Sequence, residues 1–249
     1  DSPPAGREHP HDSVVVRAMR IAVIPARGGS KRIPRKNIRD FEGKPIIGWS
    51  IDAARKAGCF DRVLVSTDDE EIADIARGCG AEVPFMRPAE LSDDFTGTIA
   101  VMGHAAAACA LGPDDLLCAI YATAPFLRPS DLRAGLRALE ETGSEYAFSV
   151  TTFPFPIQRA VRCTAAGRLE MFDPEQAETR SQDLEESWHD AAQFYWGRAR
   201  AWSAGTPLFS DAAAPVPLPR HRVQDMDTQE DWDRAVLMFR ALVDRAGDA

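Results

Sequence analysis

One alternation constrains this chain more than any other feature. Short apolar runs that end in loops are each followed by a stretch with helical spacing. Residues 21–26 (IAVIPA) form a continuous apolar run stopping at a glycine loop, the pattern of a strand buried on both faces. Residues 46–57 then show helical spacing and stop at Gly58. Residues 63–66 (VLVS) read as a strand and 69–77 as a helix opened by Asp69, Glu70 and Glu71, acids that suit a helix N-terminus. The alternation continues with a helix over 98–111, a strand over 116–121, a helix over 130–142 and a strand over 146–151. A last helix starts near Thr228, with Thr228 and Asp231 at capping-box spacing. This order predicts an α/β fold with a mainly parallel sheet, whose ligands bind at the carboxyl ends of the strands. Residues 152–224 break the pattern: they are rich in Pro, Gln, Arg and aromatics, and read as an irregular insertion with short strands, serving as a substrate lid or dimer arm.

With 249 residues, 45% apolar and 27% charged, the chain suits one substantial domain, residues 19–249, with an insertion at about 152–200. Residues 1–18 hold three prolines and one short apolar run, and read as a disordered leader without a secretory signal. No apolar run is long enough to span a membrane. The net charge of −9 disfavours a broad nucleic-acid face. The five cysteines are odd in number and widely spaced, which argues for a reducing, cytoplasmic setting and against a disulfide framework or zinc site.

The chemistry concentrates in two segments. After the first strand, residues 27–39 carry six cations and no acid, in a protein of charge −9. Gly28 and Gly29 allow backbone N–H groups to converge on an anion, and Lys31, Arg32, Arg35 and Lys36 carry enough charge for a triphosphate. A solvated basic turn is the alternative, but the position after the first strand of an α/β unit favours phosphate. Neither GxxxxGK[ST] nor GxGxxG is present. Near the chain's end, Asp225 and Asp227 in QDMDT stand two residues apart; in extended backbone they face the same side and can share a hard cation such as Mg²⁺. Capping of the last helix is the alternative for Asp227. Together the segments suggest metal-assisted phosphoryl or nucleotidyl transfer.

These segments resemble the CMP-sialic acid synthetase (acylneuraminate cytidylyltransferase) family, whose opening motif ARxxSKGxPxKN reads ARGGSKRIPRKN here. STDD at 66–69, RPAEL at 87–91 and the final QDMDT match too, so the resemblance runs from residue 21 to about 239. Segments 82–98, 120–127, 153–160, 180–197 and 218–228 are similar to the family's pseudaminic acid branch. The resemblance implies a Rossmann-like nucleotide-diphospho-sugar transferase fold, a homodimer, and a Mg²⁺-dependent reaction of CTP with a nine-carbon 2-keto sugar acid. The product would be a CMP-sugar for surface glycans such as those of flagellin. It implies that Arg27, Gly28, Gly29, Ser30 and Lys31 grip the triphosphate and that Asn37 and Arg87 contact the nucleotide. Asp225 and Asp227 would hold the metal, and Lys31, Arg27 and this pair would carry catalysis. The sugar would meet Tyr121, Gln158, Arg159, Arg180, His189 and Gln193, with Asp190 and Phe194 nearby. Two departures stand out. Arg32 replaces the family's usual glycine, and Tyr121 replaces a glutamine that faces the sugar in the sialate enzymes, which counts against N-acetylneuraminic acid. Alternatives are the same chemistry on legionaminic or N-acetylneuraminic acid, a non-catalytic nucleotide-binding protein of the same fold, or a glycosyltransferase using DMD as its metal motif.

Overall fold

A computed structural model describes residues 17–247, with the side chains of 244–247 left aside. The expected disordered leader lies almost wholly outside these residues. The strands are β1 (Arg20–Pro25), β2 (Asp40–Phe41), β3 (Lys44–Pro45), β4 (Arg62–Ser66), β5 (Leu116–Ile120), β6 (Tyr146–Thr152), β7 (Val161–Cys163), β8 (Leu169–Met171), β9 (Trp188–Arg198) and β10 (Ala213–Pro217). The α-helices are α1 (Ile46–Ala57), α2 (Glu70–Gly78), α3 (Thr98–Ala108), α4 (Pro129–Thr142), α5 (Ala199–Ala204) and α6 (Gln229–Gly247).

Six strands form one sheet in the order β10-β6-β9-β5-β1-β4. β1 runs parallel to β4 and β5, and β10 parallel to β6. β9 runs antiparallel to both β5 and β6 and joins the two parallel groups. Successive β1 side chains enter opposite layers: Ala22 and Ile24 pack with α1, α2 and α4, while Ile21 and Val23 pack with α3 and α5. Both faces are covered, which is why the strand reads as continuously apolar rather than alternating. α6 closes a third cluster, in which Trp232 packs with Ile33, Phe41 and Met226. Trp202 and Trp232 are buried, and Trp49 is half-buried.

The expected elements are present with ends shifted by a few residues, and the Thr228–Asp231 capping box forms through both partners (3.2 and 2.8 Å). The insertion contains the expected strands, and two of them join the central sheet. It supplies β9 and β10, two of the six sheet strands, and only the β7–β8 hairpin and its flanking turns form an arm. β9 hid because its first half is polar and contains a β-bulge: the β6 partners shift between Phe148 and Val150, and Ala192 adopts φ 51°. α4 crosses β9 closely enough that a Cβ on Gly135 would stand 2.6 Å from Phe194 and 2.7 Å from Trp196. All five cysteines are free thiols, and among the described residues no helix is long and apolar enough to cross a membrane.

Candidate functional site

β1, β4 and β5 end at the same edge of the sheet, and the basic loop leaves β1 there. The acids of the STDD segment set its shape. Arg35 sits at φ 53°, a left-handed conformation uncommon outside glycine. Its guanidinium grips both oxygens of Asp69 (2.6 and 3.1 Å) and also meets Glu71. Asp69 in turn caps α2 by accepting from Ile72 N (3.0 Å). The Arg35 hydrogen bonds hold the Asp69 carboxyl below the usual range, while Asp69 raises Arg35. Gly28 is needed here because a Cβ would stand 2.6 Å from Asp69 Oδ2. Its N–H donates to Asp68 Oδ1 (3.0 Å), so it is engaged by protein rather than turned to an anion. Nothing crowds Gly29. The sequence showed STDD as a motif without its task, which is to brace the basic loop.

The structure brings Arg27, Ser30, Lys31, Asn37, Arg87 and Tyr121 onto one open cleft, with Arg32 and Lys36 on its wall. Asn37 Nδ2 donates to Arg27 O (3.0 Å) and so fixes the backbone that carries the first cation. Arg87 is 5% exposed. Its Nε donates to Ser92 Oγ (3.2 Å), Asp68 stands 3.9 Å from Nη2, and Nη2 has no hydrogen-bond partner among the described residues. Burial draws its basicity down, against the opposing pull of Asp68. A buried guanidinium with an unsatisfied donor marks a place where an acceptor belongs. One residue absent from the sequence reading faces this cation set. Asp94 accepts from Arg27 Nη1 (2.6 Å) and Lys31 Nζ (2.5 Å), and these bonds, Lys31's first, hold its carboxyl below the usual range.

Asp225 and Asp227 flank Met226, which is fully buried in the α6 cluster, so the two carboxylates project away from that core. Asp227 ion-pairs with Arg32 (2.9 Å) and lies 3.7 Å from Lys36 Nζ; Lys36 also donates to Met226 O (2.6 Å). Arg32, the departure from the motif, therefore ties the basic loop to the acidic segment. Asp225 is solvent-exposed but has protein packed around it. That burial, reinforced by the negative charge of Asp227, pushes its carboxyl above the usual range. Asp227 Oδ1 is engaged by Arg32 and Asp225 Oδ1 accepts from Met226 N (2.8 Å), so the second oxygen of each carboxylate is the hard donor left for a divalent cation that draws its remaining ligands from phosphates and water. Among the described residues no cluster of three or more His, Cys, Asp or Glu offers an all-protein cage.

The β9 bulge aims the next group. Asp190 and His189 line a second cavity together with Asp225, Arg220 and Gln224. Asp190 accepts from the Tyr195 hydroxyl and from Ala192 N (2.8 Å). Burial raises Tyr121 and Tyr195, whose ring centroids stand 5.5 Å apart and which line a further cavity with Asp190. Three expected sugar contacts are not at this place. Gln158 donates to Glu185 O (3.0 Å), Arg159 faces Ser181, and Arg180 is paired with Asp183 (2.6 Å); all three belong to the arm. Gln193 is likewise buried between elements and donates to Arg222 O (2.6 Å), so it supports the segment leading to Asp225 rather than facing a cavity. Phe194 is fully buried in the core. Long side chains on an irregular segment give no sequence periodicity from which their direction can be read.

The chain has counterparts among known proteins. A family model described as cytidylyltransferase matches residues 21–201. The chain is 41% identical to the pseudaminic acid cytidylyltransferase of Campylobacter jejuni, over 88% of this chain and 96% of that one. It is 32% identical to N-acylneuraminate cytidylyltransferase B of Danio rerio, over 96% of this chain and 54% of that one. A solved CMP:2-keto-3-deoxy-manno-octonic acid synthetase complexed with CTP shares the fold, with a TM-score of 0.67 at 16% identity over 90% of this chain and 99% of that one. A match across most of the sheet and the whole basic loop, together with this degree of identity, places the chain in the cytidylyltransferase family.

Proposed function

We propose that the protein transfers the CMP group of CTP to the anomeric hydroxyl of pseudaminic acid, releasing pyrophosphate. The observation that carries this reading is the convergence of Arg27, Lys31 and the donor-unsatisfied Arg87 on one cleft at the carboxyl ends of parallel strands. The 41% identity to a pseudaminic acid cytidylyltransferase supports the choice of sugar. In the reaction the C2 hydroxyl oxygen forms a bond to the α-phosphorus. The bond from that phosphorus to the bridging oxygen breaks, pyrophosphate leaves with those electrons, and the hydroxyl proton passes to solvent.

This chain's residues would act by positioning and by charge. Arg27, Ser30 and Lys31 would hold the β- and γ-phosphates, with Lys31 meeting charge that builds on the leaving group. Arg87 would supply its free N–H to the nucleotide, and Asn37 would keep Arg27 in place. Asp225 and Asp227 would hold Mg²⁺, which when bound neutralises phosphate charge and withdraws electrons from the α-phosphorus. The cavity of His189, Asp190 and Arg220 with Asp225 is the place for the sugar acid, and Tyr121 lines the nucleotide cleft.

The β7–β8 arm exposes Phe155, Leu169 and Phe172, the last two 75% and 64% exposed. Apolar surface of this extent supports a homodimer through the arm. Free thiols support a reducing cytoplasm as the place of work. The test is pyrophosphate release from CTP and magnesium with pseudaminic, legionaminic and N-acetylneuraminic acids offered in parallel, beside a no-sugar blank. Release with pseudaminic acid above the others is the expected result. Release only with another acid would move the substrate and keep the chemistry, and no release with any of them would sink the proposal.

A further inference from the structure

Asp94 does nothing for its own loop. The turn that presents it is held by the preceding residue: Asp93 Oδ1 accepts from Phe95 N (3.0 Å), Thr96 N (2.7 Å) and Thr96 Oγ1 (2.7 Å). Ser92 anchors the start of the turn on Pro88 O (3.0 Å) and on Arg87. The Asp94 carboxylate is left to span Arg27 and Lys31, two cations from a loop more than sixty residues away. Its side chain remains 35% exposed, so the contact can open to solvent without unpacking a core. The same cleft holds Arg87 Nη2, which has no hydrogen-bond partner among the described residues. The cleft is thus partly neutralised from within: Arg27 and Lys31 are hydrogen-bonded to Asp94, whereas Arg87 has only the more distant Asp68 carboxylate at 3.9 Å.

We propose that Asp94 is a resident counter-anion of the phosphate cleft, which an incoming polyphosphate must displace and which thereby favours CTP over anions of lower charge. The inference rests on the reading of this cleft as a triphosphate site. Arg27, Lys31 and Asp94 together carry one net positive charge. A phosphate monoester that reaches only these cations competes with a carboxylate already in place. A triphosphate reaches Arg27, Lys31 and Arg87 together and outcompetes it through several charge-assisted hydrogen bonds. When the α–β bond breaks, the shorter pyrophosphate faces the returning carboxylate, and Asp94 assists its departure. The residue is a specificity determinant that touches the ligand's partners rather than the reacting atoms.

The test is isothermal titration of wild type, Asp94→Asn and Asp94→Glu with CTP, CMP and pyrophosphate in magnesium-containing buffer. Asp94→Asn should bind pyrophosphate and CMP about five-fold or more tighter, the scale of two surface ion pairs, and so narrow the preference for CTP. Asp94→Glu keeps the charge and should restore most of the preference. A purely structural role predicts the opposite, weaker binding of every ligand in Asp94→Asn. Equal or weaker pyrophosphate binding by Asp94→Asn, with CTP still bound by wild type, would overturn the inference alone. A wild type that binds neither CTP nor pyrophosphate would overturn the triphosphate reading and the inference with it.

Discussion

Replacing Asp131 by alanine should be among the most damaging single changes in this protein. Asp131 sits in the first turn of α4, where Oδ2 accepts from Arg128 N (3.0 Å). The same carboxylate forms a two-pronged pair with Arg222 (2.6 and 3.1 Å), and Arg222 also donates to Phe126 O (3.3 Å). Both side chains are at most 10% exposed. Removing the acid strands a guanidinium away from water, and breaking a buried pair this way costs about 3–5 kcal/mol. Loss of the Arg128 bond adds about 1 kcal/mol. For a chain of this size each kcal/mol moves Tm by roughly 2–4 °C, so a fall of about 10–20 °C is expected. Arg222 precedes Asp225 by three residues, so the same change should also loosen the acidic pair. The double variant Asp131→Ala/Arg222→Met removes the stranded charge and should recover part of the loss, giving a non-additive cycle in urea and thermal unfolding. A single variant within about 1 kcal/mol of wild type, or a double variant as poor as the sum of the singles, would refute the reasoning.

Other perturbations read the site and the core. Lys31→Ala should lower kcat by about two orders of magnitude, the scale of losing one transition-state charge donor, and steady-state kinetics showing mainly a sugar KM effect would contradict its placement. Asp227→Ala should abolish magnesium-dependent turnover while circular dichroism stays native; normal turnover would remove Asp227 from the metal's ligands. Burial raises all three tyrosines, with Tyr146 pushed up to about 12. Their neutral forms are favoured in the folded state, so their contribution is intact below the ordinary value near 10, and that of Tyr146 is lost as pH rises through about 12. Tyrosinate absorbance should therefore stay flat through pH ~10 and rise together with alkaline unfolding; an ionisation step near that pH with intact dichroism would be the contrary result. Light scattering at micromolar concentration should give a dimer, and a Leu169→Asp/Phe172→Asp variant should shift it toward monomer.

The sequence by itself determined the order of elements, because continuous apolar runs and helical spacing are local consequences of burial on one or both faces. It also located the basic loop and the acidic pair, since charge density and two-residue spacing are properties of the chain. Only the tertiary structure decided which charges meet. Asp69 bracing Arg35, Asp94 spanning Arg27 and Lys31, and Arg32 holding Asp227 join residues 34, 63 to 67 and 195 positions apart. The fold also placed β9 at the centre of the sheet, where its polar start and its bulge serve the cavity. Gln193 was drawn inward to Arg222, and Gln158, Arg159 and Arg180 were left on the arm. Side-chain direction in an irregular segment follows from what the rest of the chain packs against it, and that information is non-local.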